Sequence, residues 1–375
     1  MRRDKFVLLS YLYQKMKKVF RSVICACLAG FVLASCESEN GGQEFMPTMS
    51  NPDVFILCEG TYGANNADIS AYRADSMRCT GEYYFKQNNR YLGDTGQDIL
   101  YHNGHLYVSV YGSSYVAMLD LEGKELTRYN FTNEEGQPRY LAAEGEYIYA
   151  TLYSGQVAKM LASDLSIVAY AKVGKNPEGI IAHQGKLLVA NSGWGADNTV
   201  TVIDMTTFEP TKTITTEWNP QQFVVTGDSV YLLANGPYDE NWNCDYPVQH
   251  IDIESAQART ISYAARAVAY DGVLYLCHSA TDWTTYETKN TFFTYDVATA
   301  TINNTSFLQD NSEELSSNSV YMMEMNPANG ELYIGLAGNK FVSSGMIHRI
   351  GRNGQLIHRF DVQGANPNQA AFVVE

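Results

Sequence analysis

The sequence predicts an all-β fold assembled from a repeated four-stranded unit, on three observations. The stretch Asn176–Thr216 holds four runs of strand length, GIIAH, KLLVAN, TVTVID and PTKTIT, rich in Val, Ile, Leu and Thr and bounded by turn residues. A glycine then marks a period: Gly104, Gly145, Gly185, Gly227, Gly272 and Gly330 each precede an apolar run, at steps of 41, 40, 42, 45 and 58 residues. Finally, the run after each of these repeats as well, and Asp120, Asp204, Asp252 and Asp296 recur near its end. An aspartate at such a place caps the following turn, so these four read as structural. One four-stranded sheet cannot bury both of its faces, and a period near 40–45 residues with four strands per unit is that of a β-propeller.

The elements follow in order. Six units run from Gln97 to Gly364. Before them, Val54–Glu59, Asp68–Arg73 and Gly81–Phe85 read as the second, third and fourth strands of a blade that has no first strand. At the other end NPNQAAFVV (Asn366–Val374) reads as a first strand without a blade, and it echoes NPEGIIAH at Asn176 and NPQQFVV at Asn219. The C-terminal strand is therefore expected to complete the N-terminal blade. That gives a seven-bladed β-propeller over 51–375 and removes an edge that would invite aggregation. The long last step is assigned to two inserts, Ser279–Asn290 and Gln309–Asn318.

The N-terminus reads as an address. Lys17, Lys18 and Arg21 precede the apolar run Val23–Val32, too short for a membrane-spanning helix and suited to a signal peptide beginning at Met16. Leu33-Ala34-Ser35-Cys36 resembles the bacterial lipobox, which implies cleavage before Cys36 and a lipid anchor on its thiol. The acidic ESENGGQE behind it is similar to the surface-export signal of Bacteroidetes lipoproteins, and the polar segment 36–50 reads as a tether. The first 21 residues carry seven Lys/Arg and one Asp, and 22–35 carry no charge. From Cys36 onward 19 basic side chains face 40 acidic ones, a balance that repels nucleic acid and anionic lipid.

Chemistry-bearing motifs are sparse. No HExxH, GxSxG or P-loop occurs, the histidines are scattered, and no catalytic set or cofactor is expected. Asp239–Asp245 has the DxNxNxD opening of a calcium loop, but Cys244 and His250 stand where Gly and Glu belong; calcium and a plain Asx-rich turn both remain open. Cys58 and Cys277 fall inside strands and read as buried and inert, while a Cys244–Cys277 bridge is left open.

Binding is the reading that the loops support. In a propeller the connections from second to third strand and from blade to blade share one face, and here they are the long ones. Trp194, Trp218, Trp242 and Trp283 all map to that face, as do Tyr62, Tyr91, Tyr111, Tyr153, Tyr238, Tyr246, Tyr286 and Phe341. Between them lie Asp94, Gln97, Asn191, Asn235 and other amides and acids, with His278 as the one histidine pointing there. Aromatic anchors among amide partners suit a broad ligand, although single rings of this kind also plug crevices between blades. The inserts Asn235–Tyr246 and His278–Asn290 are expected to form a wall with the four tryptophans, with Tyr91, Asp94 and Tyr111 opposite.

The VGKNPEGI…LLVAN…VTVID pattern resembles the YncE-type (YVTN) seven-bladed propellers over nearly the whole chain after the tether. With the lipobox and acidic leader, and with FILCEGTYGANNADISAY followed by YLGDTGQDI, the chain is similar to the BtuG-type surface lipoproteins of Bacteroidetes. That resemblance implies a non-enzymatic outer-membrane protein at the cell surface. It would bind cobalamin or a related corrinoid and hand it to a BtuB-like TonB-dependent transporter. A glycan or protein partner would use the same aromatic face and is the alternative.

Overall fold

The computed structural model describes residues 51–240, 243–282, 284–285, 287–309 and 313–374; the leader, Cys36, Trp242, Trp283 and Tyr286 lie outside them. Seven four-stranded antiparallel sheets form the blades of a β-propeller. Blade I is β28 (Pro367–Phe372), β1 (Val54–Cys58), β2 (Asp68–Arg73) and β3 (Arg78–Thr80). Blade II is β4–β7 (Gly96–Asn130), blade III β8–β11 (Pro138–Lys172) and blade IV β12–β15 (Pro177–Thr215). Blade V is β16–β19 (Pro220–Tyr263), blade VI β20–β23 (Arg266–Asn303) and blade VII β24–β27 (Val320–Ala365). The innermost strands β28, β4 (Gly96–His102), β8 (Pro138–Glu144), β12 (Pro177–His183), β16 (Pro220–Thr226), β20 (Arg266–Tyr270) and β24 (Val320–Met325) surround an axial channel.

The period-marking glycines have the physical role their spacing implies. Gly104, Gly185 and Gly272 follow Asn103, Gln184 and Asp271, and both residues of each pair have positive φ, the backbone of a tight hairpin turn. The recurring aspartates accept the backbone N–H groups of the turn that follows: Asp204 from Thr206 and Thr207 (both 2.9 Å), Asp252 from Glu254 and Ser255 (both 3.0 Å). Seven apolar clusters fill the seven interfaces between blades, so each sheet buries both faces only because it has two neighbours.

Ring closure is as the sequence predicts. β28 pairs antiparallel with β1, Val54 opposite Phe372 and Leu57 opposite Gln369. Across the I–VII interface the Tyr72 ring stacks on Phe360 at 4.2 Å, and Arg349 joins Glu331 (2.9 Å) while donating to the Ala74 carbonyl (3.0 Å).

Three expectations change. The fourth strand of blade I is Arg78–Thr80, and the segment read as that strand instead opens helix α1 (Tyr83–Asn88). Asp68 supplies the reason: its carboxylate accepts the N–H of Tyr84 (3.0 Å) and Phe85, capping a helix whose own N-cap, Glu82, offers no side-chain bond. The insert after His278 is a continuation of the sheet, since β21 (Val273–Asp282) pairs along its length with β22 (Glu287–Asp296). The other insert folds in part as helix α2 (Glu313–Ser317). All four cysteines of the described residues are free, which removes the Cys244–Cys277 bridge. Burial pushes the Cys277 thiol up to about 12, in keeping with an inert core thiol.

Truncation after Gly364 removes β28 and leaves β1 as an exposed edge. The truncated chain is expected to lose its monomer peak and aggregate in size-exclusion chromatography; a monomeric, cooperatively melting product would contradict this account of closure.

Candidate functional site

The loop-rich face opens on the axial channel, and the geometry there begins with a backbone irregularity. In blades I, II, III, IV, V and VII the ladder between the innermost strand and its neighbour slips just after that strand's first residue. The extra residue is Asn368, Gln97, Gln221 or Tyr321 in its own blade, and Arg139 and Glu178 lead the longer slips in blades III and IV. Bulges re-aim side chains, and these gather polar groups at the channel mouth. In four strands the slip follows proline (Pro138, Pro177, Pro220, Pro367), with Asn176, Asn219 and Asn366 in the left-handed conformation before three of them. The NPEG, NPQQ and NPNQ echoes are the sequence trace of this device.

Arg139 organises the mouth. Its guanidinium donates to Glu178 Oε2 (Nε 2.8 Å, Nη2 2.7 Å) and to the Gln97 side-chain carbonyl, with Glu178 almost fully buried. The same guanidinium lies 4.9 Å from the Tyr111 ring and 4.8 Å from the Tyr153 ring, and Tyr153 donates its hydroxyl hydrogen to Glu178. Burial alone would lower the Arg139 pKa, but Glu178 and the surrounding tyrosines hold it above the ordinary arginine value. Across the mouth, Tyr321 donates to Glu59 (2.6 Å), whose carboxyl is raised by burial against the pull of that bond and of Arg139.

The channel and its mouth together form a cavity of about 390 Å³. Burial raises Asp98 to about 7 even though Leu141 N–H (2.8 Å) and Ile99 N–H (2.9 Å) both donate to it. Enclosure raises Glu324 to about 8, Asp98 adding to the shift and Arg266 opposing it. No group of His, Cys, Asp and Glu among the described residues is arranged to hold a metal ion.

Above this polar floor runs an aromatic row. Tyr111 meets Tyr153 edge-on at 5.3 Å, Tyr153 meets Trp194 edge-on at 6.2 Å, and the Tyr238 ring lies 3.8 Å from a methyl placed on Gly195. Trp194 is 71% exposed, so it presents a ring to solvent and plugs no crevice. Its φ of 56° marks a left-handed backbone that a bulky residue adopts only under constraint, here with its N–H on Ser192 Oγ (3.2 Å).

The other expected site residues sort by position. Asn235 lines the channel and donates to the Tyr238 hydroxyl (3.3 Å). Trp218 is partly exposed, with its carbonyl accepting Gly236 N–H (2.9 Å). Asn191 is fully buried, and its amide is committed to Gly174 N–H (3.0 Å), Thr199 (3.0 Å) and Thr201 (2.9 Å). Asp94 braces two loops, accepting Gly63 N–H (2.9 Å) and placing its own N–H on Ser113 (2.9 Å). Tyr91 packs on α1, 4.6 Å from the Phe85 ring and bonded to Glu82 (2.9 Å). Phe341 stands 6.1 Å from Tyr321, and His278 lines a separate cleft of about 910 Å³ with Cys244 and Tyr246. The loop read as calcium-like is closed by Asn243 N–H on Asp239 (2.8 Å), with its Asn241 and Trp242 outside the described residues.

A family profile described as a domain of unknown function, DUF5074, matches residues 53–368. The chain belongs to the DUF5074 family. No curated protein matches it. Among solved structures, this DUF5074 chain is similar to Kuenenia stuttgartiensis hydrazine synthase: TM-score 0.55, 19% identity, 68% of this chain and 76% of that one. It is also similar to the dihydro-heme d1 dehydrogenase NirN in complex with DHE (0.53, 12%, 86% and 75%). The Neurospora crassa Pan2 WD40 domain matches too (0.52, 12%, 70% and 78%). At these identities the likeness is one of fold. The DUF5074 channel residues Arg139, Glu178, Glu59, Arg266 and Glu324 escape a search for motifs, because each comes from a different repeat.

Two outcomes test this electrostatic account. Arg139→Ala strands Glu178 as a buried unpaired charge and is expected to lower unfolding free energy by about 3 kcal/mol in urea titrations. Glu324 binds its proton more tightly folded than unfolded, so its contribution is fully present below pH 4.5 and is lost as pH rises through about 8. Melting temperature should therefore decline over that window, and Glu324→Gln should flatten the decline; an unchanged profile would show that Glu324 does not titrate as described.

Proposed function

We propose that this protein is a capture protein anchored at the cell surface, binding a corrinoid across the channel mouth and passing it to a TonB-dependent outer-membrane transporter. The observation that carries the reading is the row Tyr111–Tyr153–Trp194–Tyr238 standing beside a polar, amide-lined channel. A corrin is a broad disc edged with amide side chains. It would lie across the mouth with its face on the rings and its amides on Gln97, Asn235 and their neighbours. The role is binding, with no bond made or broken. The lipobox at Cys36 and the acidic leader support the surface address.

One observation favours a second reading. Tyr62 and Trp194 present single rings at 82% and 71% exposure, which also suits stacking against sugar rings of a glycan partner. Calorimetric titration with cyanocobalamin separates the two. Heat of binding at micromolar protein is expected, and its absence, together with retention on a glycan array, would move the assignment to the glycan. Trp194→Ala is expected to weaken corrinoid binding at least about tenfold with an unchanged melting curve, because the ring is exposed. His105→Ala, on the short-turn face, should leave affinity as it was; equal binding by parent and Trp194→Ala would remove the aromatic row from the site.

A further inference from the structure

The axial channel holds polar ends that the protein's own bonds leave open. Gln97 uses its carbonyl for Arg139, and its amide nitrogen has no partner among the described residues. Gln222 on β16 and Gln369 on β28 stand at equivalent places on the wall and make no side-chain hydrogen bond among the described residues. Two positions further along β24 than the matching place, Glu324 also lacks a hydrogen-bond partner. Four side chains from four blades thus converge on about 390 Å³, each able to donate and accept if Glu324 carries its proton.

We propose that this channel is a socket for a neutral carboxamide group of the ligand, bonded by Gln97, Gln222, Gln369 and Glu324. The charge pattern selects that group. A carboxylate entering here would meet Glu59 and Glu324, while Arg139 is already engaged by Glu178. Arg266 is turned to the backbone, donating to the Tyr321 carbonyl (3.2 Å) and the Ala265 carbonyl (2.8 Å). An ammonium would require Glu324 to ionise in an enclosed site where its charge is disfavoured. A carboxamide carries one donor end and one acceptor end and needs no ionisation. Two sources carry such a group: the amide-edged periphery of a corrin and the acetamido group of an N-acetylhexosamine. The inference rests on the corrinoid reading only for the choice between them.

Saturation-transfer NMR on the full chain with propionamide, propionate and propylammonium tests the socket directly. Transfer to propionamide alone is expected, and Gln222→Leu/Gln369→Leu, a volume-conserving change, should weaken it at least about tenfold. Melting curves establish that this variant is folded. Independently, Glu324→Gln should keep propionamide binding at pH 7 and maintain it at pH 9, where the parent weakens several-fold. Asp98 on β4 and Arg266 on β20 are the charged groups that face Glu324 and shape that dependence. Transfer to propionate equal to that of propionamide, or transfer surviving in the folded double variant, or none at all, would overturn the socket. Displacement of propionamide by cyanocobalamin assigns the arm to a corrin, and displacement by N,N′-diacetylchitobiose assigns it to an acetamido sugar. Failure of cyanocobalamin to bind while propionamide does would sink the corrinoid reading and leave the socket standing.

Discussion

The pairing of β28 with β1 is the contact on which the other contacts depend. Each blade has apolar side chains on both faces, and each face is buried only by the next blade around the ring. An open arc would leave two such faces and one strand edge in water. Because the last strand of the chain completes the first blade, the ring cannot close until the C-terminus is in place. The Tyr72–Phe360 stack and the Arg349 bond to the Ala74 carbonyl fasten the same seam from the side. Stability and channel shape therefore share one cause: closure fixes the distance between opposite innermost strands, and so the width of the space they enclose.

Within that space the protein carries an electrostatic arrangement that stability alone does not call for. Channel walls could be apolar, yet these hold Glu59, Glu324, Arg139 and Arg266, with Glu178 paired to Arg139 and Asp98 buried nearby. Removing charge from water is costly unless the charge is paired, and the structure answers in two ways. Arg139 and Glu178 satisfy one another through two nitrogens, with tyrosine rings against the guanidinium. Asp98 and Glu324 instead hold their protons toward neutral pH. Strongly perturbed groups in a concavity are a mark of functional sites, and here they lie beneath an exposed aromatic row.

The two faces differ for a reason already present in the repeat. In blades II, IV and VI the turns between the first and second strands are two-residue hairpins with positive φ at both positions, and they leave no room for inserts. Variation accumulates on the opposite face, at Tyr62, Trp194 and Tyr238. The left-handed backbone at Trp194 and at Lys340-Phe341 belongs to that face as well. Rigid blades hold these loops, so a ligand would meet rings whose positions are set by the scaffold.

Periodicity made the fold legible. Glycine before the second strand and aspartate after the third are local requirements of turn geometry, and local requirements repeat wherever the turn repeats. The orphan strand at Asn366 and the headless blade at Val54 implied closure by counting alone. Local signals failed where a distant group decided the matter: Asp68 turned Tyr83–Asn88 into a helix, and pairing of β21 with β22 carried a supposed loop into the sheet. The candidate site was half legible. Trp194, Tyr111, Tyr153 and Tyr238 stood out by type and by loop, and Gln97 by its place among the amides. Asn191, of the same type and face, is a buried brace, which only packing could tell. Arg139, Glu178, Glu59 and Glu324 are ordinary charged residues in the sequence. The ring brings them together from four blades, and the low-dielectric enclosure it creates is what raises the carboxyls of Glu59 and Glu324.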